Sequence, residues 1–264
     1  MVSGDAGSAT STATVTAASV GSPTATGSAT VKTIAVAVNT LVVDDDAFVP
    51  SGSPNVDVNK SYTDALTSAG VSFQLWDLGV DKNLPLNYLK SFNNVVWFTG
   101  NSYPSPLGPY ENELKSFLDG GGNLFVSGQD LLDQAAGTTT FVHNYLHVTW
   151  DGSENQNDRR TNSVTSVAGN PVTNGIGTVP LDLSVLGGAN LAFMDQITPN
   201  GGALAAFLDD GSSTKPAVGT GPQPDALTYR GTYKVVFLAF PFEEYGTASQ
   251  KSDLMSRVFS FFAS

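Results

Sequence analysis

Cysteine is absent from the 264 residues, histidine occurs twice, and lysine and arginine together number 12. Without cysteine there is no disulfide framework, no thiolate metal site and no cysteine nucleophile. The basic residues are outnumbered by 24 acidic ones, giving a formal net charge of -12. Phosphate backbones and anionic lipid surfaces repel such a chain, which argues against nucleic acid and membrane partners. Long hydrophobic runs are missing as well. The apolar stretch Val235 to Phe240 falls far short of the roughly 20 residues a membrane helix needs, so no membrane insertion is expected. No charged segment followed by an apolar one opens the chain, and an export signal is expected to lie outside it.

Charged residues of all kinds make up 14%, against about 25% in ordinary soluble domains. The acids divide into 19 Asp and 5 Glu, with 27 Gly and many Ser, Thr and Asn beside them. With 41% hydrophobic and 10% aromatic residues the chain can still bury a substantial core. An Asp-rich, lysine-poor, loop-rich composition of this kind points to a secreted or cell-surface protein.

The composition changes near residue 38. Residues 3 to 33 hold 14 Ser or Thr and no aromatic side chain. A flexible stalk is the plain reading. Yet Ala13-Thr14-Val15-Thr16 and Ala29-Thr30-Val31-Lys32 alternate around Gly21-Ser22-Pro23, which predicts a β hairpin or extended arm. Residues 1-38 therefore read as a Ser/Thr-rich arm, or as the last strands of a truncated immunoglobulin-like sandwich whose native chain continues N-terminally.

Residues 39-264 read as one α/β domain. Thr40 to Val43, Val71 to Leu78, Asn94 to Phe98, Asn123 to Ser127 and Tyr233 to Phe240 are predicted strands. Lys60 to Ala69, Tyr110 to Leu118 and Ser249 to Phe262 carry helical stripes, and a further helix is expected to start over Asp130 to Ala135. Their alternation implies a mostly parallel sheet with helices on both faces. Residues 148-232, with short runs such as Leu191 to Phe193 and Leu204 to Phe207, read as a β-rich insertion with long loops.

In such sheets ligands sit beyond the carboxyl ends of the strands. There the chain places Asp44-Asp45-Asp46, Thr99-Gly100-Asn101, Gly128-Gln129-Asp130 and Pro241-Phe242-Glu243-Glu244. Three consecutive aspartates at a strand end repel one another unless neutralised or spread apart. Calcium, a hard cation that takes carboxylate oxygens in flexible loops, is the expected cofactor, held by Asp44, Asp45, Asp46 and Asp130, with Asp57 or Asn59 completing the shell. The alternative is that one aspartate caps the next segment while the others face solvent. Asp151 to Asp158 is a second oxygen-rich run, but its spacing departs from a calcium-binding loop and it reads as solvated. Among the aromatic residues, Trp76 and Trp97 read as core. Tyr103, among Pro104, Pro106 and Pro109, is the candidate platform for a sugar, and Gly100, Asn101, Tyr103 and Gln129 are the candidate ligand-binding residues.

The segments Leu41-Val42-Val43-Asp44-Asp45-Asp46, Val96-Trp97-Phe98-Thr99-Gly100, Gly122 to Asp130 and Phe240-Pro241-Phe242-Glu243 together resemble a domain of large exported bacterial and archaeal proteins. Those proteins are often subtilisin-like peptidases or other secreted hydrolases, and the domain stands beside immunoglobulin-like repeats. The resemblance covers residues 39-264. It implies a three-layer, flavodoxin-like fold of the class I glutamine amidotransferase kind. Active amidotransferases carry a cysteine on the turn after the strand matching Asn123 to Ser127, and a His and a Glu after the last strand. By that resemblance Gly100 matches the oxyanion turn and Glu243 the carboxylate. The nucleophile position falls on Ser127, Gly128 or Gln129, and Pro241-Phe242 stands where the His belongs.

The expected function is therefore a non-catalytic accessory module of a larger secreted protein, in contact with that protein's other domains. An alternative is a serine hydrolase using Ser127, with His143 or His147 as base and Glu243 or Asp130 as orienter. His143 and His147 lie at i and i+4 on a predicted helix and invite a zinc reading, yet neither a zincin glutamate nor a third ligand accompanies them. A further alternative is a surface-assembly subunit whose N-terminal arm adds strands to another copy's sheet.

Overall fold

The computed structural model describes residues 9–35, 38–47, 56–132, 139–150, 161–186, 194–211 and 221–264. At the N-terminus β1 (Ala9–Ala18) and β2 (Thr26–Ala35) pair antiparallel. Strand alternation puts Ala13, Val15, Ala17, Gly27 and Ala29 on one face of this ribbon and Thr12, Thr14, Thr16, Ser28 and Thr30 on the other. Residues 12 to 30 are exposed throughout, as expected of a hairpin with no large side chains to bury.

The continuous apolar runs form the parallel half of a nine-stranded sheet. Its strands are β3 (Thr40–Asp44), β4 (Gln74–Asp77), β5 (Asn94–Phe98), β6 (Asn123–Ser127) and, last in the chain, β13 (Lys234–Leu238). In space they lie in the order β4-β3-β5-β6-β13, all parallel, which is the flavodoxin-like strand order. Leu41, Val43, Val95, Trp97, Leu124 and Val126 face one layer, and Val42, Val96, Phe98 and Phe125 the other. Burial on both faces explains why these strands read as unbroken apolar segments.

Helices cover both faces. On one side α1 (Asn59–Ser68) supplies Tyr62, Ala65 and Leu66, and α5 (Ala248–Ala263) supplies Leu254, Met255, Val258, Phe261 and Phe262. Thr247 caps α5 in a reciprocal box with Gln250, which fixes where the helix begins. On the other side lie α2 (Leu86–Leu89), α3 (Glu111–Asp119) and α4 (Thr140–Asn144), burying Leu89, Leu114, Phe117, Phe141 and Val142 among others. The mixed α/β sheet with helices on both faces agrees with the sequence reading.

Among its described residues the insertion contributes six strands joined by loops. A small pair, β7 (Val148–Thr149) with β10 (Thr198–Pro199), stands apart. β8 (Ser163–Ser166), β9 (Thr178–Pro180), β11 (Leu204–Leu208) and β12 (Pro224–Arg230) extend the main sheet antiparallel in the order β13-β12-β11-β8-β9. The sheet is thus parallel in one half and antiparallel in the other.

Three expectations need correction or lie out of reach. The strand expected over Val71 to Leu78 is confined to β4, because Gly70 turns the chain out of α1 with a φ of 74° and residues 71 to 73 only approach the sheet. Asp130 does not open a helix: it sits at a φ of 51°, a left-handed conformation, and Gln129 N–H donates to the Gly100 carbonyl (2.9 Å). Residues 133–138, the Asp151 to Asp158 run and Leu191 to Phe193 lie outside the described residues.

Phe125 lies in the centre of the sheet, fully buried and edge-on to Phe242 with ring centroids 5.8 Å apart. Phe125→Ala is expected to cost about 3–5 kcal/mol in denaturant unfolding, whereas Phe259→Ala, on the half-buried side of α5, should cost clearly less.

Candidate functional site

Strand alternation divides the three aspartates that end β3. Asp44 and Asp46 point to the α1 side and Asp45 to the other, as three distinct hydrogen bonds show. Asp45 Oδ2 accepts from Trp97 Nε1 (3.0 Å), Asp46 Oδ2 accepts from the Val58 N–H (2.8 Å), and the Asp46 N–H approaches Asp44 Oδ1 (3.4 Å). The Val58 bond serves the start of α1, whose preceding residue provides no side-chain cap of its own. Asp57, exposed one residue earlier, folds back to accept from the Asn59 N–H and side-chain amide (3.0 and 3.1 Å). One carboxylate oxygen each from Asp44, Asp46 and Asp57 lie within 4.8 Å of one another.

Gly100 forms the facing wall at a φ of 55°. A side chain there would start 3.1 Å from Asp46 Cβ, 3.6 Å from Val58 Cγ2 and 3.9 Å from Glu243 Oε1. Only glycine lets these groups approach so closely. Glu243 is fully buried; its Oε2 accepts from the Tyr62 hydroxyl (2.7 Å), while Oε1 has no hydrogen-bond partner among the described residues. Tyr62 in turn stacks on Phe98, with ring centroids 4.1 Å apart. Glu244, also fully buried, has no partner on either oxygen among the described residues.

Buried carboxyls resist ionisation, and this edge collects several. Burial, then the neighbouring Asp46, raises Asp44 to about 8. Burial raises Asp45 to about 7 against the opposing pull of the Trp97 bond. Asp46 is raised by burial and eased by the Val58 N–H. Glu243 rises to about 7 by burial against its Tyr62 bond, and Glu244 to about 9 by burial and then by Glu243.

Ser127, Gly128 and Gln129, the three positions expected to match a nucleophile, are all buried. Ser127 is fully buried; its Oγ donates to the Phe240 carbonyl (2.9 Å) and accepts from the Phe242 N–H (2.8 Å). The hydroxyl ties the end of β6 to the chain leaving β13. Next to it, a side chain on Gly128 would start 1.9 Å from Thr99 Oγ1. Asn101, Gln129 and Asp130 are each about 3% exposed, and Tyr103, at 44%, is the open member of the predicted binding group. Asp130 accepts from Gln129 Nε2 (3.4 Å) and does not belong to the Asp44, Asp46 and Asp57 group; nor does Asp45, which faces the opposite layer.

The two histidines lie elsewhere. α4 ends at Asn144, so His143 and His147 do not share a helix face: His147 sits beyond it at a φ of 60°. Its ring stacks on Tyr229 at 3.5 Å and its Nε2 bonds the Tyr233 hydroxyl (3.0 Å). Tyr233 adjoins Lys234, which pairs with Asn123 at the start of β6, whereas Ser127 ends that strand. Four residues of strand, about 13 Å, separate the two ends. His143 is exposed and bonds its neighbour Asn144. Neither histidine reaches Ser127.

Sequence reasoning gave no site role to Tyr62, and it placed Thr99 at a strand end without a partner. Tyr62 read as a stripe residue, although a buried tyrosine hydroxyl needs a partner and so signals a nearby acceptor. Thr99 gave no sign of its packing against Gly128.

No protein-family model matches the chain, and no curated protein matches it in sequence. Among solved structures it is similar to the mmIFT52 N-terminal domain, with a TM-score of 0.53 and 14% identity over 85% of this chain and 97% of that one. It is also similar to a ThuA-like protein from Bacteroides uniformis, with a TM-score of 0.51 and 14% identity over 83% of this chain and 89% of that one. At this identity the likeness shows the fold alone. The ThuA-like protein has a glutamine amidotransferase-like fold, and this chain shares it.

Two outcomes follow from the geometry. Asp44, Asp45, Glu243 and Glu244 all have folded values above the usual carboxylate range of about 4. The folded state then holds more protons than the unfolded one between about pH 4 and pH 9, so their contribution to stability falls as pH rises. Thermal midpoints measured in chelator should decline from about pH 5 to pH 9, and a rise over that window would contradict the burial described. Gly128→Ala should destabilise by about 1–3 kcal/mol through overpacking against Thr99, and adding Thr99→Ala should recover part of that loss in the same denaturation assay.

Proposed function

We propose that the chain is a non-catalytic accessory module of a larger exported protein, a subtilisin-like peptidase or another secreted hydrolase. Its role is to space and dock that protein's other domains. One observation carries the non-catalytic reading: both hydrogen-bonding directions of Ser127 Oγ are engaged with backbone groups of the segment after β13. A nucleophilic serine needs an exposed oxygen and a base within about 3 Å. Ser127 is fully buried, and both histidines belong to the other end of the sheet. The Asp-rich, lysine-poor composition supports export, and the resemblance in residues 39-264 supports the kind of parent protein.

One observation favours a second reading. The ribbon of β1 and β2 is exposed on both faces, with Val15 at 59% and Val20 fully open, which suits strand addition to another copy.

The purified chain is expected to give no labelling by a serine-directed fluorophosphonate and no turnover of activated esters or glutamine. Ser127→Ala should instead lower stability by about 1–3 kcal/mol, the cost of leaving the Phe242 N–H unpaired. Turnover that Ser127→Ala abolishes would establish the hydrolase. By light scattering at micromolar concentration the chain should be monomeric, and a dimer that Val15→Lys dissolves would move the assignment to strand addition.

A further inference from the structure

We propose that Asp44, Asp46 and Asp57 hold one hard divalent cation of the calcium class, with Glu243 Oε1 joining through a water molecule. The proposal goes beyond the accessory-module reading and stands without it. Two independent observations support it. First, the end of β3 and the entry to α1 converge so that three carboxylate oxygens lie within 4.8 Å of one another, a spacing at which one ion touches all three. Second, Glu243 Oε1 is fully buried without a hydrogen-bond partner among the described residues, and it opens onto the space beside Gly100 that Asp46 also lines. A buried polar atom in that state calls for an unseen partner.

The donor set selects the ion class. All the donors are oxygens, with no imidazole or thiolate among them, which favours calcium over zinc. Asp57 approaches from an exposed turn while Asp44 ends β3 and Asp46 is buried just past it and held by the Val58 N–H, and calcium tolerates such unequal geometry better than magnesium, which demands a near-ideal octahedron. The membership differs from the one expected from sequence. Asp45 is turned to the opposite layer and bonded to Trp97, and Asp130 stands beyond β6 outside the group, so Asp44, Asp46 and Asp57 remain of the expected set and Glu243 is the new member. A cation here would lock the approach to α1 onto the end of β3, adding to the bond from Val58 to Asp46.

The test is calorimetric titration of the chelator-treated full chain with calcium chloride, then magnesium chloride, alongside thermal melts. One calcium site is expected, with magnesium weaker, and a rise in melting temperature of roughly 5–10 °C at calcium about 100-fold above Kd. Asp57→Asn, at an exposed position, should melt like the parent chain in chelator yet lose the calcium shift. Glu243→Gln should weaken calcium binding about tenfold. Asp64→Asn, which removes an exposed carboxylate of α1 paired with Lys60, should bind as the parent does. Absence of both heat and melting shift in the parent chain would overturn the proposal, as would an undiminished shift in Asp57→Asn. These readings do not involve Ser127, so the non-catalytic assignment is tested separately.

Discussion

The hydrogen bond from Tyr62 to Glu243 spans 181 positions in the chain and joins the first crossover helix to the segment leaving the last parallel strand. Around it the aromatic rings of Phe98 and Phe242 close the layer, with Tyr62 between them. A carboxyl group in that setting is stable only because the hydroxyl offsets part of its lost hydration. Asp46 and the glycine wall at Gly100 adjoin this junction, and the turn after β6 is tied to it through the bond from Gln129 N–H to the Gly100 carbonyl. Polar groups are therefore not scattered over an open cleft. They are gathered under the strand ends, where the low dielectric makes each charge depend on its neighbours.

Comparison with the amidotransferase-like scaffold sharpens this point. The fold supplies a tight turn after β6 and a glycine-bearing turn after β5, and both are present. What differs is the use of the serine: its hydroxyl closes the junction between β6 and the segment after β13. The same turn geometry that exposes a nucleophile in an enzyme here brings a side chain against two backbone groups. A shared fold at 14% identity carries the scaffold and leaves the chemistry to be argued from the site.

Much of the parallel half was legible in the sequence, for a physical reason. β3, β5, β6 and β13 are buried on both faces and so appear as unbroken apolar runs, while α3 and α5 carry clear stripes. β12 was not legible, because Pro224-Asp225-Ala226-Leu227-Thr228 places a fully buried aspartate inside a central strand. Burial raises that carboxyl well above its ordinary value, a state no local pattern announces. At the site, the positions of Asp44, Asp46, Gly100 and Glu243 followed from the rule about strand ends, and Ser127 from the resemblance. Their partners did not, since Tyr62, Phe240 and Phe242 meet them only through the tertiary fold. His147 misled because helical spacing was assumed past Asn144, where the chain turns left-handed.

The nine-stranded sheet ends in very short strands on both sides: four residues in β4 and three in β9, the last of them Pro180. A proline without an N–H and so brief a row of backbone groups give an incoming strand little to pair with. The ten-residue strands of the N-terminal ribbon contain no proline and have no such guard. At high concentration the α/β body should therefore resist edge-to-edge stacking into fibrils. Any tendency of this chain to clump would then reside in the ribbon, where Lys32 of β2 is the one charged residue in either strand and the single gatekeeper.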